Sequence, residues 1–370
     1  MAKISYEKPD GTRFAFDTGD GKLMREVAEK AARDMWGDTV PKCEKPEAGI
    51  ESDVVVIYDN AGIPSIMRRF RKVTDKELFG GADKVHPAFV IGGVEYDEIY
   101  IGVYEGAEIN GKIYSLPYTK PRTEITMDEF AEKCFAKGEG WHMMTAAEWG
   151  LVANECVRLG TMPHGNTDRG HWHGDESEKG AFPEGYERML NGPPIVLTGS
   201  GPVTWTHNHE PDGVHDLCGN VWEMLPGLRV KDGVMQVVPN NDAALPGAAL
   251  EDSELWQPMN MYGGELWATY EEGRVIFSTE QRLQSYGGCR WESAEIKGSG
   301  PTRQMMELAL YAGEPKAYIY IDGTEGEYIL YRGGYWGNGS SAGVFNSYLN
   351  SPRSYVSSPF GGRVAYFKKR

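Results

Sequence analysis

The stretch that decides the fold runs Gly213-Val214-His215-Asp216-Leu217-Cys218-Gly219-Asn220-Val221-Trp222-Glu223-Met224. Gly and Asn enter positive φ most readily, so Gly219-Asn220 predicts a tight turn feeding a strand. Trp222 then becomes a core anchor. Glu223 beside it is placed to accept hydrogen bonds from loop backbone amides, because loops that cover a domain need buried polar partners for their own N–H and C=O groups.

Upstream, Phe89–Tyr96 and Ile99–Glu105 read as two strands joined by a tight turn. Thr126-Met127-Asp128-Glu129 and Thr145-Ala146-Ala147-Glu148 are capping boxes, each a Thr followed three residues later by a Glu. The first helix carries Phe130, Cys134 and Phe135 and ends at Gly138 or Gly140. The second carries Trp149, Val152, Ala153, Cys156 and Leu159 and stops at Gly160. Two short helices followed by a long Gly-, Pro- and Trp-rich stretch predict an α+β fold with extended irregular loops. The texture changes near residue 80. Residues 1–80 read as a separate N-terminal segment, an attachment or accessory domain, with a helix over Lys22–Trp36 and a buried strand over Asp53–Tyr58. The basic run Met67–Lys72 reads as a solvated strand face. Residues 81–370 read as the ligand-binding domain.

Composition narrows the function. Lys+Arg total 38 against 54 Asp+Glu, a formal charge of −16 over 370 residues. A surface this acidic repels phosphate backbones and anionic lipid, which argues against nucleic-acid binding and membrane docking. No apolar run approaches the roughly 18 residues a spanning helix needs, and no signal-peptide pattern opens the chain. The five cysteines, Cys43, Cys134, Cys156, Cys218 and Cys289, form no close pair. They read as free thiols of a protein made in a cytoplasm, to remain there or to join a virion surface. His171 and His173, with His207, His209 and His215, look metal-like in composition. They match no HExxH and no zinc spacing, so no metal site and no cofactor are expected.

Three stretches together carry a resemblance. Gly140-Trp141-His142-Met143-Met144-Thr145-Ala146-Ala147-Glu148-Trp149, the Gly213–Met224 stretch, and Tyr331-Arg332-Gly333-Gly334-Tyr335-Trp336 with Gly361-Gly362-Arg363 resemble, in order and spacing, motifs of the C-type lectin fold of the formylglycine-generating-enzyme subtype. The resemblance covers about residues 85–366. Formylglycine generation needs a cysteine pair after the third motif, and Tyr335–Tyr348 contains no cysteine, so a non-enzyme is expected. Some members of the fold hold a structural calcium on loop carboxylates and carbonyls, so the resemblance leaves a structural calcium open here, with no ligands assigned.

The segment Arg332–Arg363 has 32 residues and no Asp, Glu, Lys, Gln or Met, while seven Gly, seven Ser, three Asn and three Tyr make up 20 of them. That is paratope composition: Tyr supplies a large rigid contact, and Ser, Gly and Asn supply adaptable polar ones. The segment resembles the variable region of diversity-generating-retroelement variable proteins, which mutagenise a C-terminal stretch on this same lectin fold. The resemblance implies a hypervariable ligand- or receptor-binding face. It places varied sites at Tyr335, Gly337, Ser341, Asn346, Tyr348, Ser351, Tyr355, Ser357 and Ser358, with Asn338, Asn350 and Phe360 beside them. It implies fixed scaffold at Trp222, Arg332, Trp336, Phe345, Leu349, Arg353 and Arg363. The arginines would bond loop carbonyls, and the varied side chains would point outward.

His86–Phe89, Leu197–Pro202 and Pro239–Ala244 resemble phage and prophage tail-associated members of the group. They imply display on a viral particle, in several copies, toward a protein or cell-surface ligand. Two other readings stay open: an enzyme of the formylglycine-generating or iron-dependent oxidase type, and a calcium-dependent sugar lectin. Neither an EPN nor a QPD motif, the usual sugar–calcium signature, is present.

Overall fold

The computed structural model describes residues 3–7, 13–17, 53–183, 194–281, 285–313 and 317–369. The helix expected over Lys22–Trp36 and the thiol of Cys43 lie outside these residues.

Gly219 and Asn220 both adopt positive φ, 78° and 58°. They deliver the chain into the strand Trp222–Lys231, which is buried along nearly its whole length. The reason is its position. Glu327–Gly333 pairs with it on one side and Val234–Val237 on the other. Beyond Glu327–Gly333 lie Gly343–Ser351, then Tyr318–Asp322, then the edge strand Tyr286–Arg290. These belong to one sheet of eleven strands among the described residues. Tyr318–Asp322 runs parallel to Gly343–Ser351, and the other pairs of this group are antiparallel. A second sheet has the order Trp141–Met143, Val364–Tyr366, Glu98–Gly102, Pro64–Arg71 and Val54–Tyr58.

Both capping boxes form. Thr126 and Thr145 accept from the backbone N–H of Glu129 and Glu148, and each Glu reaches back to its threonine. The helices Met127–Phe135 and Ala146–Leu159 follow, and Gly160 closes the second at φ 71°. Gly150 sits inside that helix because the Glu307–Leu308 backbone crosses it, and a Cβ there would meet Glu307 O at 2.1 Å. A third box, Thr74 with Glu77, opens the short helix Asp75–Phe79 and was missed by sequence reading.

Four expectations need correction. The chain is sheet-rich rather than evenly α+β, because the described residues after Gly160 form many strands and a single short α-helix, Arg303–Glu307, although long irregular segments remain among them, as between Lys179 and Trp222 and between Val237 and Gln257. The boundary near residue 80 passes through paired structure: Val54–Tyr58 and Pro64–Arg71 share a sheet with Glu98–Gly102 and the C-terminal strand. The change of texture there marks denser turns, not an end of pairing. Phe89–Tyr96 is not one strand. Gly92 and Gly93, both at positive φ, fold it into a hairpin of Val90–Ile91 on Val94–Glu95. The basic run is solvated only in part: Arg71 and Lys72 are exposed, but Arg68 and Arg69 are partly buried, Arg68 paired with Asp53 and Asp212 and Arg69 with Asp53.

Candidate functional site

The residues of Arg332–Arg363 meet at the face of the large sheet. Strand register sets a row across it: Gly288, Tyr320, Tyr348, Tyr331 and Met224 stand side by side on five neighbouring strands. Because side chains alternate along a strand, this row shares one face. The Tyr348 ring stacks near-parallel to Tyr320 (5.4 Å, 9°), Tyr331 (5.8 Å, 26°) and Tyr318 (6.0 Å, 24°). Beneath them Trp222 meets Tyr348 edge-on at 4.6 Å and Tyr331 at 5.0 Å. Tyr335 stacks over Trp222 at 6.4 Å and touches Trp336 at 4.9 Å. Tyr355 joins through Phe360, 5.1 Å away, which in turn lies 6.5 Å from Trp222. Tyr335, Tyr348 and Tyr355 therefore sit in one continuous aromatic cluster, the first two half-buried and the third 43% exposed.

The loop that carries Tyr335 is held at several points. Trp336 N donates to Asn220 O (3.1 Å) and Arg169 N to Trp336 O (2.8 Å). Gly339 N donates to Thr167 O (2.9 Å), and Gly219 N to Gly333 O (3.1 Å). Asn338 closes the turn, its Oδ1 accepting from Tyr335 N at 2.9 Å. The Gly219-Asn220 turn thus supports both the central strand and this loop.

The three arginines hold the segment from within. Arg332 donates to the carbonyls of Leu308 (2.7 Å) and Ala309 (3.1 Å), and burial without a carboxylate pushes its pKa down to about 9. Arg363 donates to the carbonyls of Gly102 (2.9 Å) and His215 (2.7 Å) and grips the Glu223 carboxylate at 2.6 and 3.1 Å. Arg353 departs from the expected carbonyl bonding: it binds Glu327 at 2.8 and 2.9 Å and Asp128 at 2.6 Å. Burial raises the Glu327 pKa, but hydrogen bonds from Arg353 and Arg229 outweigh it and hold the carboxyl below its usual range. Glu223 likewise bonds a guanidinium and not loop amides, because Arg363 reaches it first.

Other expected positions divide. Phe345 and Leu349 are wholly buried and Trp222 nearly so. Trp336 is half-buried; its backbone is the anchor, and its Nε1 has no partner. Gly337 is exposed, and Ser341, Ser357 and Ser358 are half-exposed. Three positions expected to point outward do not, the first being Phe360, 6% exposed and packed against Tyr331 and Trp222. Ser351 is 8% exposed, with its hydroxyl 3.0 Å from the Tyr331 hydroxyl. Asn346 is 0% exposed, and neither end of its carboxamide has a hydrogen-bond partner. A bulge between the Arg332–Ser347 and Gly333–Gly343 pairs breaks simple alternation here. Sequence reading also missed Tyr318 and Tyr320, although the alternation Tyr318-Ile319-Tyr320-Ile321 was a usable signal.

His207 and His215 are buried in the interior. His207 accepts from Val214 N at 2.8 Å, and burial pushes both His207 and His215 down to about 3, which keeps them neutral. Among the described residues no group of three or more His, Cys, Asp or Glu side chains could hold a metal ion, and we assign no residue to a calcium. None of the described helices is long and apolar enough to cross a membrane.

No family model matches the chain, and no curated protein matches it. Among solved structures it is similar to Treponema denticola variable protein 1, at 13% identity and a TM-score of 0.33, the likeness covering 85% of this chain and 99% of that one. It is also similar to a Major Tropism Determinant U1 variant, at 11% identity and a TM-score of 0.29, covering 87% of this chain and 73% of that one. Scores this low do not define the fold.

Proposed function

We propose that the chain is a ligand- or receptor-binding protein whose segment 332–363 is a replaceable recognition face, of the diversity-generating-retroelement kind, on a C-type lectin frame. One observation carries the reading. Tyr335, Tyr348 and Tyr355 gather on one aromatic cluster, while Arg332, Arg353 and Arg363 of the same segment are locked into the interior. Contact residues and supporting residues are thereby separated within a single stretch. Surface changes shift stability by about 0.5 kcal/mol or less, whereas core changes cost several. Binding rather than catalysis fits a segment with no thiol and a face of neutral phenols. In this proposal the protein is displayed in several copies on a viral particle, which multiplies a modest single-site affinity.

The test is to randomise Tyr335, Gly337, Ser341, Tyr348, Tyr355, Ser357 and Ser358 together and melt a sample of the pool. Most clones are expected to unfold cooperatively within a few degrees of the parent, since 1 kcal/mol moves the midpoint of a chain this large by only about 2–4 °C. A pool that is mostly unfolded overturns the reading. Randomising the buried Asn346 and Ser351 is expected to depress folding far more.

A further inference from the structure

The segment's own tyrosines cannot carry much affinity. Each fully buried tyrosine hides about 150 Å², but Tyr335 and Tyr348 are already half-buried against Trp222. Part of their surface is spent inside the molecule, and association still costs on the order of 4–15 kcal/mol. Further contact area lies next to them, on strands outside residues 332–363.

Tyr318 and Tyr320 alternate with the buried Ile319 and Ile321, so both stand on the face of Tyr348. They are half-buried, and their hydroxyls make no hydrogen bond within the described chain. By contrast, the hydroxyl of the buried Tyr331 is paired with Asn350 and Ser351. On the outer side Gly288 leaves room for them. A Cβ there would stand 2.5 Å from Tyr318 Cε1 and 2.6 Å from Tyr320 Cδ2, so the two rings lie across the glycine. Tyr286, on the same edge strand, is 63% exposed.

We propose that Tyr318 and Tyr320, with Tyr286 at the margin, form an invariant half of the recognition face, and that this face takes a folded protein as its partner. The inference rests on the reading of 332–363 given above. Three features select a protein. The accessible part of the row, Gly288, Tyr320 and Tyr348, spans three strands about 4.8 Å apart, roughly 10 Å, and the exposed Tyr286 and half-buried Tyr318 and Tyr335 widen it. That suits a macromolecular surface, and small molecules favour concave sites. A cavity of about 200 Å³ lies between Met127, Phe135, Leu245 and Leu250 and reaches Arg353, but none of these tyrosines lines it. The rings are stacked broad face to broad face, so they offer edges and hydroxyls and not the flat platform on which a sugar ring stacks. Charged side chains border the aromatics: Arg290 opposite Tyr318, Asp322 opposite Tyr286, and Arg169 at 6.0 Å from the Trp336 ring. An aromatic centre with a charged rim is the anatomy of protein–protein interfaces.

The experiment displays the full chain with the positions randomised above and selects it on hen egg-white lysozyme and, in parallel, on mannan. Lysozyme-binding clones are expected. Carrying Tyr318→Ser with Tyr320→Ser into each clone is expected to weaken binding by about tenfold or more, whatever its 332–363 sequence. The Tyr318→Phe, Tyr320→Phe pair keeps the rings and is expected to cost about threefold, from the hydroxyls alone. It decides the matter if the serine pair melts early. Affinity unchanged in folded clones overturns the invariant half while leaving the replaceable segment intact. Clones recovered only on mannan overturn the protein partner. Self-association of the parent chain that the serine pair abolishes would assign the face to a second copy instead. Well-folded libraries that yield no clone on either probe overturn the reading of 332–363 itself.

Discussion

At the scale of single residues, the most consequential group surrounds Arg363, the last residue of the segment proposed as the recognition face. Glu105, Asp216 and Glu223 are buried together around one guanidinium, that of Arg363. Three carboxylates and one cation cannot all stay charged in so dry a place. Burial, with Glu223 adding to it, pushes Asp216 up to about 6 against the pull of the Gly199 amide and Arg363. Burial, followed by Asp216 and Glu223, also holds Glu105 well above the carboxylate range. The folded chain therefore keeps a proton that the unfolded chain releases near its ordinary Asp value of 3.8. The stability this contributes is complete below that value and is lost as pH rises through about 6. Urea denaturation of the parent and of Asp216→Asn at a series of pH values checks it. The parent is expected to lose stability relative to the variant between about pH 4 and 6, and a constant difference would refute the assignment.

At the scale of elements, what could be read in advance was local and what could not was long-range. A capping box needs four residues, and a Gly-Asn turn needs two. Thr126, Thr145, Gly160 and Gly219-Asn220 were all legible for that reason. The pairing of Pro64–Arg71 with Glu98–Gly102 was not, and neither was the parallel seat of Tyr318–Asp322 beside Gly343–Ser351. Register between distant strands is fixed by burial that only the assembled sheet provides. Asn346 shows the same limit within the candidate site: motif alignment placed it on the face, and the bulge took it inside. Gly288 supplies a test at this scale. Two tyrosine rings rest where its side chain would be, and Ile319 O lies only 2.7 Å from the point a Cβ would occupy. Gly288→Ala is expected to destabilise the chain by about 1–3 kcal/mol through overpacking, read from the urea midpoint. A midpoint that does not move would mean that the rings are free to step aside.

At the scale of the whole molecule, the segment 332–363 is continuous at both ends with fixed structure. It starts at the end of Glu327–Gly333, returns to the large sheet as Gly343–Ser351 and Phe360–Gly361 and, after Arg363, enters the second sheet as Val364–Tyr366. That last strand is interior, with Trp141–Met143 on one side and Glu98–Gly102 on the other. Ending the chain after Arg363 would separate those two strands and strip Arg363 of its setting. The truncated protein is expected to lose its cooperative melt by circular dichroism; a native-like melt would show that the strand is dispensable.

On the proposed function, the placement of Val364–Tyr366 would also act as a proofreader. A reading-frame slip or premature stop anywhere in a mutable stretch before it would delete the keystone that is synthesised after it. Faulty copies would then fail to fold, and only those that kept their frame to this strand would be left for selection.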